Sequence, residues 1–208
     1  MGVPFKTPWV LKQFYKKRIW AYPKGKNCVY LTFDDGPTPE VTYWVLDQLK
    51  KFDAKATFFC IGKNVKNHPA IYNRIIQEGH SVGNHTFNHL NGWKTTTSTY
   101  LANVAKASKY IPSKLFRPPY GRANFKQANK LQKSGYKIIM WDVLAMDWDQ
   151  NLAPEKCYQN ILKHTHDGSI LVFHDSEKAF KNLQNILPDV LKELRRKGFS
   201  FKAIKETG

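Results

Sequence analysis

Five short polar clusters in this chain of 208 residues hold side chains that hydrolysis needs: Asp34-Asp35-Gly36-Pro37, His85 with His89, Arg117-Pro118-Pro119-Tyr120-Gly121, Asp147-Trp148 and His174-Asp175. His85 and His89 are spaced i, i+4, which on a helical turn points both imidazoles the same way. Two surface histidines explain that spacing equally well, and no glutamate follows His85, so the metalloprotease pattern H-E-x-x-H is absent. The Asp34-Asp35 pair offers a third ligand, and two histidines with one carboxylate and open positions compose a catalytic zinc site. Adjacent aspartates at a strand end diverge, so one can hold metal while the other stays free as a base. A plain turn accounts for Asp-Gly-Pro but not for an apolar run feeding two carboxylates. His174 has the chemistry of a general acid. Arg117 can pair with the free aspartate, and a backbone N–H near Tyr120 can donate to an oxyanion.

Chemistry of this kind requires elements that bring the clusters to one place. Apolar runs at Val29–Phe33, Ala56–Ile61, His80–Gly83, Leu115–Phe116, Lys137–Val143, Ser169–Phe173 and Phe199–Ile204 read as strands. Helical patterns lie between them at Pro39–Phe52, Pro69–Glu78, Thr96–Tyr110, Asn124–Ser134, Pro154–His164 and Ala179–Lys197. Thr38 before Pro39 is a reasonable N-cap, and Gly79, Gly135 and Gly198 close three helices. Strands alternating with helices imply a parallel sheet. With no glycine fingerprint after any strand, the α/β class expected is a single distorted (β/α)7 barrel. Its active site would lie at the C-terminal ends of the strands, where all five clusters fall.

Composition bounds the rest. Hydrophobic residues are 42% and charged residues 24%, ordinary globular usage, which excludes disordered and collagen-like classes. The formal charge of +17 favours acidic partners. No apolar run approaches the roughly 18–20 residues of a membrane span. Three scattered cysteines are too few for a disulfide framework or zinc cluster. The first twenty residues lack a signal-peptide core, so a place in the cytoplasm or at the inner membrane face is expected. Residues 1–27 carry seven Lys/Arg and no acid among several aromatics, and form a basic aromatic arm ahead of a catalytic domain over 28–208. Two readings of the arm stay open: peripheral contact with an anionic membrane, or packing of its aromatics on the domain. Residues 79–141 carry ten further basic residues and no acid, yet no nucleic-acid-binding signature is present, so no specific nucleic acid is expected. The chain is expected to be a monomer.

Taken together, the motifs resemble those of the polysaccharide deacetylase family, carbohydrate esterase family four. They are Thr32-Phe33-Asp34-Asp35-Gly36-Pro37, His85-Thr86-Phe87-Asn88-His89, Arg117-Pro118-Pro119-Tyr120-Gly121, a weaker Asp147-Trp148, and Leu171-Val172-Phe173-His174-Asp175. The resemblance implies Asp34 as base, Asp35, His85 and His89 as metal ligands, and His174 as acid. It implies Arg117 orienting Asp34 and Asp147 orienting His174. Pro119, Tyr120, Trp148 and Val172 would meet the substrate, the last two walling an acetyl pocket. Many members carry an aspartate three residues before the Asp-Trp pair; here Leu144 stands there, with Asp142 nearby. The implied cofactor is a divalent metal, zinc foremost, with cobalt or another ion possible. The implied reaction removes acetyl groups, chiefly N-acetyl, from a peptidoglycan or chitin-like glycan. Alternatives are a deacetylase or deformylase of a lipid-linked sugar at the membrane face, and an anionic-polymer binding module with an inactive site.

Overall fold

In the computed structural model, which describes residues 4–206, the chain runs α1 (Trp9–Phe14), β1 (Cys28–Asp34), α2 (Val41–Lys51), β2 (Ala56–Cys60), α3 (Gly62–Asn67) and α4 (Pro69–Gln77). It continues β3 (Ser81–Asn84), α5 (Thr97–Ser108), β4 (Leu115–Phe116), α6 (Phe125–Lys133), β5 (Lys137–Ile138) and β6 (Val143–Leu144). The last elements are α7 (Pro154–His164), β7 (Ile170–His174), α8 (Glu177–Arg196) and β8 (Ser200–Phe201). Seven parallel strands in the order β5-β4-β3-β2-β1-β7-β6 curl into a half-barrel, and β8 pairs with the start of β1.

The period-two alternation of strands sorts side chains between two faces. Leu31, Phe33, Phe58 and Phe173 pack outward in one core with Val45, Leu187 and Val190 of the helices. Thr32, Asp34 and Phe59 occupy the alternate, inward positions, and Phe59 joins Leu115, Ile139, Ile170 and Ile204 in a second cluster. In α5 the hydroxyl of Thr96 caps Thr99, and in α6 Asn124 and Gln127 form a reciprocal capping box.

Two expectations need correction. Lys137–Val143 is not one strand but two short ones, β5 and β6, because the residues between them pair elsewhere. The Ile19 amide donates to the Ile138 carbonyl at 2.9 Å and Met140 returns a bond to Ile19 at 2.7 Å. Thr7 donates to the Asp142 carbonyl, and Leu144 to that of Phe5. The N-terminal segment thus fills the gap where β5 and β6 do not meet. Secondly, α2 begins at Val41 rather than Pro39: the Thr42 hydroxyl takes the Thr38 amide, and the chain turns through Glu40 at φ 64°. The short helix α3 went unread in the sequence. Among the described residues, no helix is long and apolar enough to cross a membrane.

Candidate active site

The C-terminal ends of β1, β3, β4 and β7, with the loop after β6, deliver the polar clusters to one mouth. At its floor lies Arg117, fully buried, with its guanidinium 4.1 Å from the centre of the Phe59 ring. It donates to Thr32 Oγ1 and Asp34 Oδ1, both at 2.7 Å, and to the carbonyls of Ile139 and Met140. Burial lowers the Arg117 pKa and the Asp34 charge raises it, leaving a cation satisfied on every side.

Asp35 follows at φ 82°, its carbonyl accepting from Asn64 Nδ2 at 2.8 Å. The left-handed turn sends its carboxylate away from Asp34 and toward the histidines. Asp35 Oδ1 lies 3.1 Å from His89 Nε2 and 3.6 Å from His85 Nε2. His85 Nδ1 donates to the Arg117 carbonyl at 2.8 Å, which fixes the tautomer and leaves Nε2 bare. Burial pushes the His85 pKa down to about 4, so the ring is neutral. Burial would raise Asp35, but the His89 ring against it and the nearby His174 and His85 imidazoles hold it well below the usual carboxylate range.

Ligand atoms from Asp35, His85 and His89 lie within 4.8 Å of one another, and the buried Asp35 Oδ1 has no hydrogen-bond partner among the described residues. An orphaned carboxylate oxygen facing bare imidazole nitrogens fits a divalent cation. The sequence reading put the two histidines on a helical turn, and the structure corrects it: the segment is a loop. Thr86 (φ 64°) and His89 (φ 55°) are left-handed, and the loop is held by Asn103 Oδ1 accepting from the amides of Phe87 and Asn88. The two rings nevertheless lie with centroids 5.1 Å apart.

On the other side, His174 Nδ1 is 2.8 Å from Asp147 Oδ1, and the His174 amide donates to Asp147 Oδ2 at 2.7 Å. Burial would lower the His174 pKa, but the charge and hydrogen bond of Asp147, then Asp35 and Asp34, raise it to about 9. The ring is therefore a cation at neutral pH. Trp148 meets it edge-on at 4.7 Å. Val172 is buried in β7, two residues before His174 and on the same inward face. Pro119 is buried beside Tyr120, whose backbone is left-handed at φ 59° and whose exposed ring lies 4.6 Å from that of His89. A groove of about 450 Å³ opens from Asp35 and His89 past Pro37 and Asn64 to Glu177.

Of the residues singled out from the sequence, Asp35, His85 and His89 converge, Arg117 pairs with Asp34, His174 meets Asp147 and Trp148, and Tyr120 lies against His89, whereas Asp142 stands apart. Its amide bonds to Ile170, at the opposite end of β7 from His174, and its carboxylate binds Lys6, Lys12, His166 and Ser169. Three positioning residues carried no readable signal. Asn64 and Asn103 are single amides in helical stretches. Asp175, quoted only as part of a motif, accepts from the Gly36 amide at 3.0 Å and is hydrogen-bonded to Thr42 Oγ1 at 2.6 Å. Any side chain at Gly36 would collide with it, a Cβ falling 2.0 Å from Asp175 Oδ2. Burial, together with the Asp35 charge, raises the Asp175 pKa to about 8 despite its hydrogen bonds from Thr42 and Gly36.

Comparison with known proteins gives this arrangement a family. The polysaccharide deacetylase profile matches residues 21–139. A peptidoglycan-N-acetylglucosamine deacetylase of Bacillus cereus is 31% identical over 90% of this chain and 91% of its own length. A chitooligosaccharide deacetylase of Azorhizobium caulinodans is 34% identical over 73% of this chain and 75% of its own. A crystallised peptidoglycan N-acetylglucosamine deacetylase, in complex with 4-naphthalen-1-yl-N-oxidanyl-benzamide, superimposes with a TM-score of 0.87, covering 95% of both chains at 31% identity. The chain belongs to the polysaccharide deacetylase family, and its half-barrel is the fold of that family.

Proposed function

We propose that this protein is a metal-dependent hydrolase that removes N-acetyl groups from an amino-sugar glycan of the peptidoglycan or chitin type. The observation that carries the reading is the orphaned Asp35 oxygen facing the His85 and His89 rings, flanked by the Asp34–Arg117 and His174–Asp147 pairs. Asp35, His85 and His89 would hold the ion, zinc by donor type. When bound, such an ion supplies Lewis acidity toward a carbonyl oxygen and lowers the pKa of water toward ~7.

The other steps belong to the side chains. Arg117 occupies Asp34 Oδ1 and aims that carboxylate, while its second oxygen takes the proton of the attacking water. The Tyr120 amide donates to the developing oxyanion. His174, cationic through Asp147, protonates the departing amine, and Trp148 and Val172 shield the acetyl methyl from water. The relatives' names support the glycan class, since both act on N-acetylated amino-sugar chains.

Acetate release from N-acetylglucosamine oligomers tests the reading, comparing zinc-loaded enzyme with chelator-stripped enzyme. Release that disappears on stripping and returns with zinc is expected. A chain that takes up no metal and releases no acetate would overturn the reading and favour a binding module for anionic polymers.

A further inference from the structure

The arm divides into an anchored and an unanchored side. Its anchored side is tied down by Lys6 and Lys12 on the buried Asp142, by Arg18 donating to the Ala123 carbonyl at 2.8 Å, and by the buried Trp20. None of the residues of α1 is buried. Val10 and Phe14, four residues apart, share one side of the helix, Trp9 stands one position before Val10, and the three are 61%, 71% and 70% exposed. Close by, Tyr15 stacks on Phe125, itself exposed, at 5.2 Å. Leu11 and Tyr15 wall an apolar pocket of about 190 Å³ together with Trp93, Tyr120 and Trp141. Tyr120 is the ring lying against His89, so this apolar surface reaches the rim of the catalytic mouth.

Exposed lysines adjoin these residues in sequence: Lys16 and Lys17 after Tyr15, Lys94 after Trp93, and Lys126 after Phe125. Every charged residue in 4–27 and 79–141 is basic. That pattern decides among occupants. A second copy of a chain with net charge +17 would bring lysines against lysines and be repelled. A soluble polyanion would satisfy the lysines but leave Trp9, Val10 and Phe14 in water. An anionic bilayer satisfies both, with lysines at the headgroups and aromatic and aliphatic side chains below them.

We propose that Trp9, Val10 and Phe14, with the exposed Lys16, Lys17 and Lys126, dock this protein peripherally on an anionic bilayer, with the catalytic mouth held at the membrane surface. The substrate class that follows is glycan within reach of that surface. The docking itself does not depend on the deacetylase reading.

The test is co-sedimentation of the full chain with phosphatidylcholine vesicles, with and without about one-third phosphatidylglycerol, at about 0.1 M salt. Binding to the anionic vesicles alone is expected. The double substitution Trp9→Ser/Phe14→Ser should lower the partition coefficient at least about tenfold, since each buried aromatic contributes more than that factor. Lys16→Glu/Lys17→Glu should lower it by about tenfold or more. Both pairs lie away from the catalytic mouth, so acetate release from soluble oligomers should be unchanged, which also verifies that the variants fold. Three results would overturn the proposal: no vesicle binding by the wild type; undiminished binding by the aromatic variant, the mark of a purely electrostatic contact with polyanions; or a concentration-dependent dimer in sedimentation velocity that the aromatic substitutions abolish.

Discussion

Two carboxylates, the half-buried Asp35 and the buried Asp142, stand in this fold beside histidines, and they behave in opposite ways. Asp142 is fully enclosed, its oxygens taken by Lys6, Lys12, Ser169 and His166. Burial would raise its pKa, but those lysine and serine contacts win and hold it below the usual range. Asp35 faces two imidazoles and keeps Oδ1 without a hydrogen bond. The first set is closed by its own partners and clasps the arm to the sheet. The second is closed by nothing among the described residues, which is what a cation site requires. Residue types alone do not separate a clasp from a site; the accounting of lone pairs does.

The contrast can be broken at four points of decreasing consequence. Asp35→Ala should abolish zinc uptake and turnover together while leaving the fold in place, as metal analysis and circular dichroism would show. Arg117→Met removes a fully buried cation from Asp34 and should cost about 3–5 kcal/mol of stability in urea unfolding, with loss of activity. Asp147→Asn should act through His174. In the wild type the alkaline limb of kcat should lie near pH 9, where the His174 cation is lost. The same raised value means that the His174–Asp147 pair stabilises the fold fully below pH ~6.5 and ceases to do so above about 9. In Asp147→Asn the alkaline limb of kcat should fall toward ~6.5. An unmoved limb would show that His174 is not the acid.

Asp142→Asn is the mildest break. Lys6 and Lys12 are partly exposed and can turn to water, so about 1–3 kcal/mol is expected, with kcat on soluble oligomers unchanged. Because the folded pKa is depressed, that difference should be full above pH ~4 and shrink as acid protonates the carboxylate.

How much of this was legible in the sequence follows from the range of each interaction. β1, β2 and β7 are continuous apolar runs and could be read directly, and the helical patterns opening at Thr96 and Asn124 begin at the capping residues of α5 and α6. The clusters at strand ends were legible because a parallel sheet places all its strand C-termini on one side. The splitting of Lys137–Val143 was not, since it depends on Ile19 and Thr7 pairing more than a hundred residues away. Nor was the conformation of the His85–His89 loop, which turns on left-handed Thr86 and His89 and on one amide, Asn103. Asp142 was noticed only for its nearness to an atypical motif; its neighbours are remote in sequence, so its role as a clasp had no local sign.

The most direct test of the central claim, that the paired aspartates divide the work, is Asp34→Asn measured for zinc content and turnover in one preparation. The account predicts one zinc per chain, as in the wild type, with kcat lower by about 10²–10⁴-fold. Zinc lost along with activity, or activity retained, would contradict the division between Asp34 as base and Asp35 as ligand.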